Sequence, residues 1–169
     1  MQKAANFGTI RSQFIYMPIM TEITQTISQS PSWRDYLEMC KPRVVLLMLL
    51  CTLVGMFLAT NEMVPLDVIV FGSLGVALVA GSAAALNHLV DANIDARMSR
   101  TQNRPLAQGR VSNMQGAVFV GVTGIAGIII LAVLINPLTA WLNLASWLGY
   151  GVIYTMYLKR ATPQNIVIG

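Results

Sequence analysis

The stretch "VIVFGSLGVALVAGSAAALNHLVDANIDARMSRTQNRPL", Val68 to Leu106, decides the architecture, because a long apolar run passes without a break into a cluster of charge. Val68 to Val90 contains no Asp, Glu, Lys or Arg. Crossing the hydrocarbon core of a bilayer, about 30 Å thick, takes roughly 20 apolar helical residues, and this run has that length. Three further runs come close: Val44 to Thr60, Met114 to Ile135 and Leu138 to Leu158. The whole chain of 169 residues is 55% hydrophobic and only 11% charged, with a mean hydropathy of +0.61. Soluble domains with charged surfaces rarely reach such values, so the expected fold class is all-α, a polytopic transmembrane helical bundle. The net charge of +4 does not indicate nucleic acid, because the basic residues sit in short clusters beside apolar segments and form no continuous stripe.

Those basic clusters set an orientation. Arg34, Lys41 and Arg43 precede the first run, Arg97, Arg100, Arg104 and Arg110 separate the second from the third, and Lys159 and Arg160 follow the fourth. The intervening turns, "NEMVPLD" and Asn136–Pro137, have no Lys or Arg, so the charged end of the second run is expected to face the cytoplasm. Upstream, "SPSWRDYLEMCKP" supplies Ser32 as a helix cap with Asp35 three residues on, and a short interfacial helix is expected there. Residues 1–30 have the composition of a flexible tail and lack a signal-peptide pattern, so 1–30 is read as a tail and 31–169 as the membrane domain. Cys40 and Cys51 form no ligand pattern and are expected to be free thiols. Gly72, Gly75, Gly81 and Ser82 to Ala85 in the second run, with Gly121, Gly124 and Gly127 in the third, suit close helix packing in lipid.

If the second helix continues past Val90, Asn87, Asp91 and Asp95 recur at i, i+4 and i+8 on one face. One amide and two carboxylates a turn apart offer hard oxygen ligands of the kind Mg²⁺ takes together with substrate phosphates. The carboxylates repel each other unless a cation sits between them. Arg97, Arg100 and Arg104 follow at once, and guanidinium groups make bidentate contacts to phosphate oxygens. The combination points to a diphosphate substrate; the competing explanation is that Asp91 and Asp95 only pair with these arginines at the membrane surface. Asn93 points away from the ligand face. Lys159 and Arg160 lie on the same side and can meet the same diphosphate, while Tyr150, Tyr154 and Tyr157 read mainly as an interfacial aromatic belt. His88, the chain's single histidine, stands about 100° around the helix from Asn87. A hydrogen-bonded interfacial role is the commoner use of such a residue, and a haem contact the functional one.

With these residues in place, the sequence resembles the intramembrane prenyltransferases of the UbiA superfamily, whose first aspartate-rich motif is matched by Asn87, Asp91 and Asp95. "RTQNRPL" is common to several branches, including the 4-hydroxybenzoate polyprenyltransferases. "DYLEMCKPRVVLLMLL", "DANIDARMSRTQNRPLAQGRVS" and "YTMYLKRATPQNIVIG" place the likeness in the branch that farnesylates protohaem IX. The resemblance implies an enzyme that transfers the farnesyl group of farnesyl diphosphate to a vinyl group of haem B, giving haem O for terminal oxidases. It implies Mg²⁺, two ions in the complete enzyme, with Asn87, Asp91 and Asp95 as metal and catalytic groups and Arg97, Arg100, Arg104, Lys159 and Arg160 on the diphosphate. It further implies the bacterial inner membrane as location, the lipid bilayer as surroundings, and haem A synthase or terminal oxidase assembly as partners. Family members have about nine helices and a second aspartate motif in the later half. The chain, with about four, is therefore expected to be an N-terminal portion holding half of the site, which puts turnover by these 169 residues alone in question. The alternatives are a 4-hydroxybenzoate or other quinone-precursor polyprenyltransferase and, from another class, a non-catalytic membrane helical bundle.

Overall fold

Each helix starts where the sequence supplies a cap or a proline. In the computed structural model, which describes residues 31–99 and 101–158, α1 runs over Trp33–Met39, α2 over Pro42–Leu58, α3 over Leu66–Asp95, α4 over Asn113–Ile130 and α5 over Pro137–Trp147. Wider π-helical turns prolong α4 through Leu131–Ile135 and α5 through Leu148–Leu158. Ser32 N–H donates to the Asp35 carboxylate at 2.9 Å at the start of α1. Pro42 and Pro137 take first-turn positions, where a missing N–H costs nothing. Ser112 and Gln115 close a reciprocal capping box on α4 at 3.2 and 3.0 Å. Asn136 Oδ1 accepts from Thr139 N at 2.7 Å ahead of α5. No strand occurs among the described residues, as the all-α reading requires.

Every expected run falls on a helix, but their spanning capacity differs from the four spans expected. Leu66–Asp95 and Asn113–Ile135 are each long and apolar enough to cross a membrane, and α1 with α2 qualifies only as a pair bent by 57°. Residues 137–158 are not among them, because Asn143, Trp141, Trp147 and the tyrosines at 150, 154 and 157 lower their apolarity. By these criteria the described residues hold two spans, or three with the bent pair. The chain is an integral membrane protein by these apolar helices. The expected tail, residues 1–30, lies outside the described residues.

The longest helix organises the rest. At 1.5 Å per residue its 30 residues extend about 45 Å, some 15 Å more than the hydrocarbon thickness. Its small-residue face is buried chiefly against α4. A Cβ on Gly127 would come within 2.8 Å of Val79 Cγ2 and 2.9 Å of the Gly75 carbonyl oxygen, so the two backbones meet there with no room for a side chain. Gly121, by contrast, faces open space. Val79, Leu131 and Ala140 form one buried cluster; Met39, Ala85, Leu106, Val111 and Val120 form a second, beneath the loop joining α3 to α4. That loop is fastened to α1 by Arg110, which pairs with the buried Asp35 and donates to the Asn103 carbonyl at 3.0 Å. Cys40 and Cys51 are free.

Candidate functional site

Because α3 continues helically to Asp95, it brings Asn87, Asp91 and Asp95 onto one face a turn apart. All three are buried, Asp91 to 1% exposure, at the end of the helix that projects beyond the apolar run. The Asn87 amide, with Nδ2 turned toward Asp91, donates to Asp91 Oδ2 at 2.7 Å, and its Oδ1 accepts from Lys41 Nζ at 3.0 Å. Asp95 Oδ2 accepts from Arg104 Nη1 at 2.5 Å. The loop that supplies Arg104 is held in register by Thr101, whose Oγ1 donates to the Asp95 carbonyl at 3.1 Å, and by the Leu106 and Val111 anchors in the core. Two buried carboxylates and an amide thus share one face with an ammonium and a guanidinium bonded to it.

The other expected site residues are distributed unevenly. Arg97 is exposed and makes no ion pair with another described residue. Arg100, Lys159 and Arg160 lie outside the described residues. Asn93 is exposed, on the side away from the ligand face. His88 is 3% exposed, and neither ring nitrogen has a hydrogen-bond partner among the described residues.

Two residues join the site that the sequence did not single out for it. Lys41 is closed to the right-handed helical region by Pro42 and sits at φ +51°, a left-handed conformation that costs a side-chain-bearing residue about 1–2 kcal/mol. Its ammonium reaches Asn87 from that position. The K-P start of a membrane helix was the available signal, and topology explained it too readily. Tyr150, assigned to an aromatic belt, has its hydroxyl 3.5 Å from the Asn87 amide and stacks on Tyr154 at 5.6 Å between centroids. Its place depends on the π-helical turn of Leu148–Leu158, which no sequence period announces. The side chain of Tyr157 is outside the described residues.

Lys41 and Tyr150 also stand on the wall of a cavity of about 330 Å³, otherwise lined mostly by apolar groups, including Val44 and Met48 of α2, Val79 and Ala83 of α3, and Trp147 of α5. A charged face and an apolar chamber therefore adjoin. Hard oxygens at Asn87, Asp91 and Asp95 suit Mg²⁺, which takes one or two carboxylates and fills its octahedron with phosphate oxygens and water. Among the described residues no three His, Cys, Asp or Glu side chains gather into a self-sufficient ion site.

The UbiA prenyltransferase family model matches residues 48–169. The chain is 60% identical over 137 residues to a protoheme IX farnesyltransferase from Saccharophagus degradans, covering 81% of this chain and 45% of that one. It is 55% identical over 146 residues to the protein of that name from Hahella chejuensis, covering 86% and 49%. With protoheme IX farnesyltransferase 1 of Pseudomonas fluorescens it shares 63% identity over 137 residues, covering 81% and 46%. The chain thus spans about half the length of the curated relatives it matches. No solved structure matches it. With its aspartate face intact and most of its length inside the family model, the chain belongs to the UbiA prenyltransferase family.

Proposed function

We propose that this chain carries the first metal and diphosphate half-site of an enzyme that transfers farnesyl from farnesyl diphosphate to a vinyl group of protohaem IX, forming haem O. The observation that carries the reading is the buried Asn87, Asp91 and Asp95 face, bonded to Lys41 and Arg104 and adjoining an apolar cavity. Its similarity to farnesyltransferases at 55–63% identity supports these substrates.

In the reaction the C1–O bond of farnesyl diphosphate breaks and the diphosphate leaves with the electron pair. The vinyl π electrons form the new C–C bond to the allylic cation. Water then adds to the remaining vinyl carbon and loses a proton, giving the hydroxyethylfarnesyl group. Mg²⁺ bound by Asn87, Asp91 and Asp95 would neutralise charge on the departing diphosphate. Lys41 and Arg104 donate to the same anion, and Arg97, Arg100, Lys159 and Arg160 add positive charge around it. The apolar cavity wall keeps bulk water from the cation until the C–C bond has formed. His88, next to Asn87 on α3, is the proposed contact to the haem. The motif faces the cytoplasm across the bacterial inner membrane, on the side of the basic loops.

The test joins this segment to the remainder of the Saccharophagus degradans relative and supplies membranes with farnesyl diphosphate, haem B and 4-hydroxybenzoate. Mass spectrometry is expected to show haem O; prenylated hydroxybenzoate without haem O refutes the assignment.

A further inference from the structure

Two apolar spaces meet at one side chain. Trp147 lines both the cavity beside Asn87 and a second space of about 350 Å³ between α4 and α5, bounded by Val120, Gly124, Ile128 and Leu144. It packs against both core clusters. Its orientation is fixed by polar contacts: Nε1 donates to Ser82 Oγ at 3.1 Å, and the fully buried Ser82 donates onward to the Val120 carbonyl at 2.8 Å. The indole N–H of the half-buried Trp147 thus has its partner in the apolar bundle. Gly124 permits the arrangement, since a Cβ there would lie 2.8 Å from the Ser82 hydroxyl.

We propose that Trp147 is a specificity-determining partition that limits the length of the isoprenoid the first cavity accepts. This rests on the prenyl-transfer reading above. Along α3 the cavity extends from Val76 to Ala84, about 12 Å at 1.5 Å per residue, and Asn87 lies one turn beyond. At about 330 Å³ it sits near the lower end of the range for ligand chambers, about 300–1,000 Å³. A longer chain must turn aside, and behind Trp147 lies an apolar groove of similar size, open on the side of the exposed Ile125 and Ile129. The indole, locked to Ser82, closes that path. Removing it opens the first cavity into that groove and gives a longer tail an apolar path.

The experiment compares farnesyl and geranylgeranyl diphosphate as donors to haem B in the full-length chimera, unsubstituted and carrying Trp147→Ala, Trp147→Leu or Trp147→Phe. Added methylenes refused by a hydrophobic pocket are worth about 10-fold or more in kcat/KM. The unsubstituted chain and Trp147→Phe are expected to favour farnesyl strongly, while Trp147→Ala and Trp147→Leu lower the farnesyl-to-geranylgeranyl ratio by about 10-fold or more through a gain with the longer donor. That gain cannot come from a misfolded protein. An unchanged ratio in variants that still use farnesyl overturns the proposal, as does loss of both donors in Trp147→Ala and Trp147→Leu with membrane insertion intact. An unsubstituted chimera that farnesylates no haem overturns instead the function on which the proposal rests.

Discussion

Lys41 shows two opposed requirements on one side chain. Its backbone takes a left-handed conformation that glycine adopts freely, yet its ammonium is bonded to the Asn87 amide, so the energy stored in the backbone is tolerated where the charge is needed. The two effects separate by substitution. In the full-length chimera, Lys41→Met removes the charge and is expected to raise KM for farnesyl diphosphate about 10-fold or more, the range for a lost charged hydrogen bond. Lys41→Gly should lose the same affinity while its thermal unfolding midpoint stays level or rises, because the strain is relieved. Equal affinity in all three proteins would show that Lys41 does not touch the diphosphate. Asp91 has no such duality: at 1% exposure on the face it shares with Asn87 and Asp95, its change to Ala is expected, on the proposed function, to reduce haem O formation in the chimera about 100-fold or more with insertion unaffected, as measured by product yield and membrane fractionation.

At the scale of elements, the glycines of α4 divide sharply. Gly127→Ala places a methyl 2.8 Å from Val79 Cγ2 and 2.9 Å from the Gly75 carbonyl, backbone that cannot yield without parting the helices, and is expected to cost about 1–3 kcal/mol in detergent unfolding. Gly121→Ala meets nothing within 4 Å and should be neutral or stabilising by up to about 1 kcal/mol, the helix-propensity difference. A similar loss in both would place the contact elsewhere. Sequence alone revealed that these helices carry small residues but not which glycines face a neighbour, because both kinds fit a small-residue pattern. The start of the first helix was legible for a local reason: Ser32 acts within its own first turn, as Pro42, Ser112 and Pro137 do at later starts. The Asn87, Asp91 and Asp95 face was legible as well, since helical periodicity and continuation of α3 suffice to align it. Lys41 and Tyr150 were not, because their approach to Asn87 depends on a left-handed residue and a π-helical turn that carry no periodic signal. Asp35 and Arg110 were each visible locally, but their pairing spans 75 residues and only the fold brings them together.

For the whole molecule, the length of α3 and the distribution of charge must agree on which side the site lies. The helix exceeds the hydrocarbon thickness, and the excess carries Asp91 and Asp95 out of the apolar run toward the loop that holds Arg97, Arg104 and Arg110. The turn at the opposite end, between α2 and α3, has Glu62 and no Lys or Arg. Basic residues accumulate on the cytoplasmic side, so the two loops should be reachable from opposite faces of the membrane. With Cys51 replaced by Ala and Cys40 by Ser, single cysteines at the exposed positions Glu62 and Gln108 report this directly. In intact spheroplasts a membrane-impermeant maleimide is expected to label Glu62→Cys and not Gln108→Cys, and lysis should make both react. Labelling of Gln108→Cys alone before lysis would invert the molecule, placing the aspartate face away from the cytoplasm. Labelling of both would mean that α3 does not cross, a result in direct conflict with an apolar run from Val68 to Val90 that contains no formal charge.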